Sequence, residues 1–128
     1  MKINLDFNSD RSIYIQIKES ILKSIAKGEL HKGESLPSVR NLSESIGVNL
    51  HTVNKSYNEL KDSGFLNIDR RKGAIVANLP LEPDEKTFSD IEKKLEILVY
   101  EAFLSGMDKE SFIDLCGKIY DECEVSEK

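Results

Sequence analysis

Two short stretches of this chain concentrate side chains suited to recognition chemistry. Asn49, His51, Thr52, Asn54 and Lys55 crowd together with Leu50 among them, and Arg70, Arg71 and Lys72 stand side by side before Gly73. A carboxamide such as Asn54 matches the paired donor and acceptor on an adenine edge, Thr52 suits a phosphate or a thymine methyl, and Lys55 suits a phosphate. His51 is either a base contact or a solvated imidazole. Leu50 has no side-chain hydrogen bond to offer. Three adjacent cations on a turn could press on a minor groove or on phosphates, or could be a solvated charge run. Covalent chemistry has no comparable footing: there is no Gly-rich phosphate loop, no carboxylate pair around a histidine and no nucleophile elbow. The expectation is a binding protein, not an enzyme, with no cofactor.

The elements that must hold these residues follow from periodicity. Over residues 10–28, Ile13, Ile17, Ile21 and Ile25 recur four apart, with Tyr14 and Leu22 widening the stripe, so an amphipathic helix ending at Gly28 is expected. A polar turn over residues 31–34 follows. Ser38 can cap a short helix whose buried face is Val39, Leu42 and Ile46, and Gly47 ends it. Asn49 can cap the next helix, with Val53, Tyr57 and Leu60 inward and Gly64 closing it. Two short helices joined by a tight turn make a helix-turn-helix, in which the exposed N-terminal end of the second can enter a groove. Residues 65–69 and 74–78 read as strands of a β-hairpin with Arg70, Arg71, Lys72 and Gly73 at its tip, which would be a wing.

Pro80, Pro83 and two acids make residues 80–86 a linker. Thr87 with Asp90 resembles a capping box opening a fourth helix, striped by Phe88, Ile91, Leu95, Leu98, Val99, Ala102 and Phe103. After Gly106, Asp108 can cap a last helix lined by Phe112, Leu115, Ile119 and Cys123. The two are expected to form an antiparallel pair whose apolar stripes need a partner, most simply a second copy. The expected architecture is α+β, mainly α: a winged helix-turn-helix over residues 1–79, a linker over 80–86 and a two-helix dimerisation tail over 87–125.

Composition agrees with this division. The 128 residues, 39% apolar and 32% charged, hold one compact domain plus an appendage. The net charge of -5 suits a nucleic-acid binder only when it is divided along the chain: residues 1–30 carry +1, residues 31–79 carry +2, and residues 80–128 carry -8. No apolar run approaches a membrane span and residues 1–8 have no signal-peptide core, so a cytoplasmic protein with no membrane partner is expected. Cys116 and Cys123 are seven positions apart on one expected helix, too far for a disulfide, and neither His31 nor His51 is spaced to complete a metal site. Buried or half-buried free thiols, and no metal, are expected.

Ile13, Tyr14, Gln16 and Ile17, then Gly28 and Leu30, then Leu36, Pro37, Ser38 and Arg40, then Gly47, Val48, Thr52 and Val53, and finally Tyr57, Leu60 and Gly64 follow an ordered pattern. That pattern resembles the GntR superfamily of bacterial regulators over about residues 10–78, and the short tail looks like the YtrA-type subfamily. The resemblance implies that Arg40 reaches DNA while Ser38 caps its helix, a solvated or ion-paired Arg40 being the alternative. It implies a homodimer on double-stranded operator DNA, repression, and control of an ABC transporter operon. Two departures stand out: Ala74, Ile75 and Val76 replace a Gly-Thr-Phe-Val run, and Leu50 and Asn54 stand where some members carry DNA-contacting arginines. Twofold pairing implies an inverted-repeat operator. The rival function is a winged helix that docks an acidic protein. An unidentified small-molecule effector, bound between the tail and the winged part, is an open partner with no residues to assign to it.

Overall fold

A computed structural model describes residues 1–124 of the chain; residue 125, the end of the expected tail, lies outside the described residues. The fold is mainly helical with one small sheet: α1 (Ile13–Ala26), α2 (Val39–Ile46), α3 (Leu50–Asp62), β1 (Leu66–Asp69), β2 (Gly73–Val76), α4 (Glu85–Leu104) and α5 (Lys109–Asp121). The described residues divide into two compact units, Met1–Leu81 together with Glu124, and Glu82–Cys123.

In the first unit α1 and α3 form the main helix pairing, with α2 packed on α3. Ile17 and Ile21 of α1 and Val53 and Leu60 of α3 are completely buried, and Leu30, Leu36, Leu42, Leu66 and Val76 close the core around them. Each such side chain contributes about 1.5–3 kcal/mol by leaving water. Helix α1 begins at Ile13, three residues later than periodicity implies, because Gln16 holds the preceding chain in a loop. Its Nε2 donates to the carbonyls of Asp6 and Arg11 at 3.0 Å each, and its Oε1 accepts the Asp6 N–H at 2.8 Å. Ile3 and Leu5 pack partly buried against the core as a result.

The expected caps of α2 and α3 form. Ser38 Oγ accepts the Asn41 N–H at 3.0 Å and Asn49 Oδ1 accepts the His51 N–H at 2.7 Å. Gly47, between the helices, adopts φ +68°, the left-handed conformation that lets α2 end and α3 start within three residues.

Strands β1 and β2 pair antiparallel with Leu66 opposite Val76 and Asp69 opposite Gly73. The expected polar turn at 31–34 forms, closed by Glu34 N–H donating to His31 O at 3.0 Å and by His31 N–H donating to Glu34 Oε1 at 2.9 Å. Gly33 N–H donates to Val76 O, Val76 N–H to Glu34 O and Leu36 N–H to Ala74 O, at 2.8–2.9 Å, so residues 33–36 bridge to β2 at Ser35 and Ile75 without forming a strand of their own. A segment this short and polar has no period to read, and its hydrogen bonds come from a partner about forty residues away.

In the second unit several expectations need correction. Helix α4 starts at Glu85, inside the expected 80–86 linker, and its cap is Asp84, not Thr87 with Asp90. Asp84 Oδ1 accepts the Lys86 N–H at 3.0 Å and its Oδ2 accepts the Thr87 hydroxyl at 3.2 Å, so the residue after Pro83 opens the helix. Helices α4 and α5 are not a packed pair: neither contains a buried residue, and only Ala102 and Phe112 are half-buried. The turn through Gly106 and the Asp108 cap, whose Oδ1 accepts the Ser111 N–H at 2.7 Å, set the helix ends but supply no apolar contact area. Cys123 lies beyond the end of α5, and both cysteines are free and exposed, not buried. The same missing packing leaves the thiols in the open.

Candidate nucleic-acid interface

At 100° per residue, the buried stripe of α3 formed by Val53, Ser56, Tyr57 and Leu60 leaves His51, Asn54 and Lys55 on the exposed side, with Thr52 half-buried at one flank and Leu50, itself exposed, beside the Tyr57 edge of the stripe at the helix start. Three contacts fix that helix to its support. The Tyr57 hydroxyl donates to Pro37 O at 2.7 Å, tying α3 to the start of α2, and burial pushes this phenol well above its ordinary pKa range. Ser56 Oγ donates to Tyr14 O at 2.7 Å, and Lys18 pairs with Glu59 at 3.1 Å, half-shielded, so α1 braces α3 along its length. The face turned outward is therefore carried on a rigid base.

Not every polar candidate on that face is available to a ligand. The Ser38 hydroxyl oxygen and the Asn49 carbonyl oxygen are occupied as caps, although both residues are exposed. Lys55 Nζ sits 3.8 Å from the centre of the Tyr14 ring, a cation–π contact that orients the ammonium at the edge of the face. Arg40 is exposed and makes no ion pair among the described residues, which leaves solvation as the alternative to an anion contact.

The hairpin places Arg70, Arg71, Lys72 and Gly73 at its exposed tip, and Gly73 takes φ +75° to close the turn. Asp69 Oδ1 accepts the N–H groups of Arg71 at 2.8 Å and Lys72 at 3.0 Å. Those backbone bonds, first from Lys72 and then from Arg71, with the Lys72 charge adding to them, hold the Asp69 carboxyl below its ordinary pKa. The carboxylate shapes the tip without covering the guanidinium groups.

Sequence reasoning passed over Asn58 and Lys61, exposed on the same side of α3 as Asn54, because attention rested on the helix N-terminus. The periodicity that placed Asn54 outward would have found both. It also gave no structural role to Gln16 and placed Tyr14 only in the apolar stripe of the first helix, whereas Gln16 bonds to the preceding loop and the Tyr14 ring meets Lys55 of α3. Among the described residues there is no cluster of His, Cys, Asp or Glu able to hold a metal, and no helix is long and apolar enough to cross a membrane.

A helix-turn-helix flanked by a β-hairpin defines the winged helix-turn-helix class. Residues 13–76 match the family described as "Bacterial regulatory proteins, gntR family". The chain is 32% identical to the HTH-type transcriptional repressor YtrA of Bacillus subtilis over 109 residues, which span 84% of each protein. It superposes with a TM-score of 0.86 and 26% identity on a crystal structure titled as a transcriptional antiterminator from Listeria monocytogenes, covering 98% of this chain and 96% of that one. The DNA-binding domain of AraR in complex with operator ORE1 matches with a TM-score of 0.51 and 27% identity over 60% of this chain and 94% of that one. The chain belongs to the gntR family, as a YtrA-type member. It is a DNA-binding transcription regulator and not an enzyme.

Proposed function

We propose that the chain is a repressor that binds an inverted-repeat operator in double-stranded DNA as a homodimer in the cytoplasm. The observation that carries this reading is the outward face of α3, polar and braced from behind by α1, beside a basic hairpin tip. In it, Ser38, Arg40, Asn49, Leu50, His51, Thr52, Asn54, Lys55, Arg70, Arg71, Lys72 and Gly73 of the 1–79 region meet DNA. Base edges fall to α3, and phosphates or a minor groove fall to the hairpin tip. A relative named as a repressor and a structural neighbour seated on its operator support the assignment. Control of an ABC transporter operon is carried over from the YtrA-type resemblance alone.

The homodimer rests on the tail. Phe88, Ile91, Leu95, Leu98, Val99, Ala102, Phe112, Leu115 and Ile119 form apolar stripes of which, among the described residues, none is buried and only Ala102 and Phe112 are half-buried, and a second copy would cover them. For an effector of unidentified class, the winged unit itself offers a groove of about 630 Å³ lined in part by Ile3, Glu34, Leu36 and Ile46.

Selection of bound fragments from the source genome by the full chain, followed by fluorescence anisotropy on the enriched duplex, tests the reading. With about seven phosphates neutralised per dimer, log affinity should fall against log salt with a slope near about -6, and His51→Ala with Asn54→Ala should cost roughly ten- to a hundredfold on the enriched duplex while leaving binding to scrambled DNA almost unchanged. Equal binding to all duplexes, or binding indifferent to salt, would defeat it.

A further inference from the structure

We propose that Leu50 is a specificity-determining residue that reads the methyl group of a thymine, so that each half-site carries a T·A pair under the leading end of α3. This rests on the operator reading above and names the base it selects. Leu50 is the first residue of α3 and is 41% exposed, at the edge between the buried stripe and Asn54, which lies one turn further along. The inward stripe of α3 is complete without it, since Val53, Tyr57 and Leu60 are buried. An apolar side chain at the tip of a groove-entering helix loses affinity unless it meets an apolar spot, and the 5-methyl of thymine is the one apolar group that the four base pairs display in the major groove.

The surrounding groups sharpen the choice. The Asn49 carboxamide is held as the helix cap by the His51 N–H, and the Lys55 ammonium rests on the Tyr14 ring, so both polar neighbours already have a contact within the chain. Asn54, one turn further along, matches an adenine edge. Leu50 and Asn54 together thus suit a T and an A under the leading end of α3.

The test begins with selection of binding sites by the full chain from a pool of randomised duplexes. Each thymine of the enriched half-site is then replaced by deoxyuridine, which removes only the methyl. One thymine per half-site should weaken binding by about fourfold when replaced, the value of one buried methyl. With Leu50→Ala that same replacement should have no further effect. Leu50→Arg should move the preference at that pair toward G·C, through the bidentate pairing of arginine with guanine. Circular dichroism should show both variants folded, since Leu50 lies outside the core.

Enriched half-sites indifferent to every thymine methyl would overturn the inference while leaving the operator reading intact, and so would Leu50→Ala retaining the full deoxyuridine penalty. Failure to enrich any sequence would remove the operator reading and this inference together.

Discussion

In Met1–Leu81 thirteen apolar side chains are buried, Ile17, Ile21, Val53 and Leu60 among them with no exposure at all, whereas in Glu82–Cys123 Phe103, Leu104 and Tyr120 are 76–81% exposed and no residue is buried. Both units have capped helices with apolar stripes, so local sequence quality does not separate them. What separates them is the number of faces brought together. Three helices and a hairpin enclose a core, while two helices that do not pack on one another enclose nothing. Helices of 20 and 13 residues gain little from propensity alone and need tertiary burial. The winged unit carries its stability within one chain, and on the proposed pairing the tail obtains it from another.

The contrast breaks most sharply at the tail. Charging its stripe with Leu95→Asp and Leu98→Asp should give a monomer in sedimentation velocity and lower operator affinity by about 10²–10⁴-fold, since each half-site then binds alone. The thermal transition of the winged unit should persist. A double variant that stays dimeric, or binds as tightly as the parent, would show that the stripe is not the seam.

In the winged unit the expected loss is local to one chain. Leu60→Ala empties a fully buried site between α3 and its neighbours and should cost about 2–5 kcal/mol in urea unfolding. That cost should not depend on protein concentration once the tail is charged as above. A concentration-dependent loss would mean that the first unit, too, relies on a second copy.

The smallest effect concerns acid. Asp69 at the hairpin tip and Asp108 at the start of α5 are both held below the ordinary carboxylate pKa, Asp69 first by the Lys72 and Arg71 N–H groups and Asp108 by the Ser111 N–H and then its hydroxyl. A lowered folded-state pKa means that their contribution is complete above the unfolded value, near about 4, and is lost as pH falls through the folded one. Amide exchange at Arg71, Lys72 and Ser111 should therefore quicken only below about pH 4. Asp69→Asn and Asp108→Asn should flatten that response at their own sites, one in each unit.

Much of the winged unit was legible because its signals are local. Ser38 and Asn49 cap the helices they were expected to cap, as Asp108 does in the second unit, and the inward run of Val53, Tyr57 and Leu60 gives the orientation of α3 directly. Less was legible where partners are distant or competing caps adjoin. Residues 33–36 join β2 through backbone bonds that no side-chain pattern announces. Two cap candidates, Asp84 and Thr87, lie three apart, and the carboxylate takes the helix start while the Thr87 hydroxyl becomes its donor. Lys55 read as a phosphate contact, and the Tyr14 ring beneath it, which comes from another helix, was not legible.

From the order of residues alone came the helix-turn-helix, the basic hairpin tip, the family pattern and the division into a basic front and an acidic back, because caps, apolar periods and charge are properties of neighbouring residues. Only the tertiary structure decided which polar groups stay open to a ligand, where Gln16 and Tyr14 act, and that α4 and α5 leave their stripes bare. Those outcomes depend on contacts between segments far apart in sequence, and whether two apolar faces meet is a matter of geometry that composition does not contain.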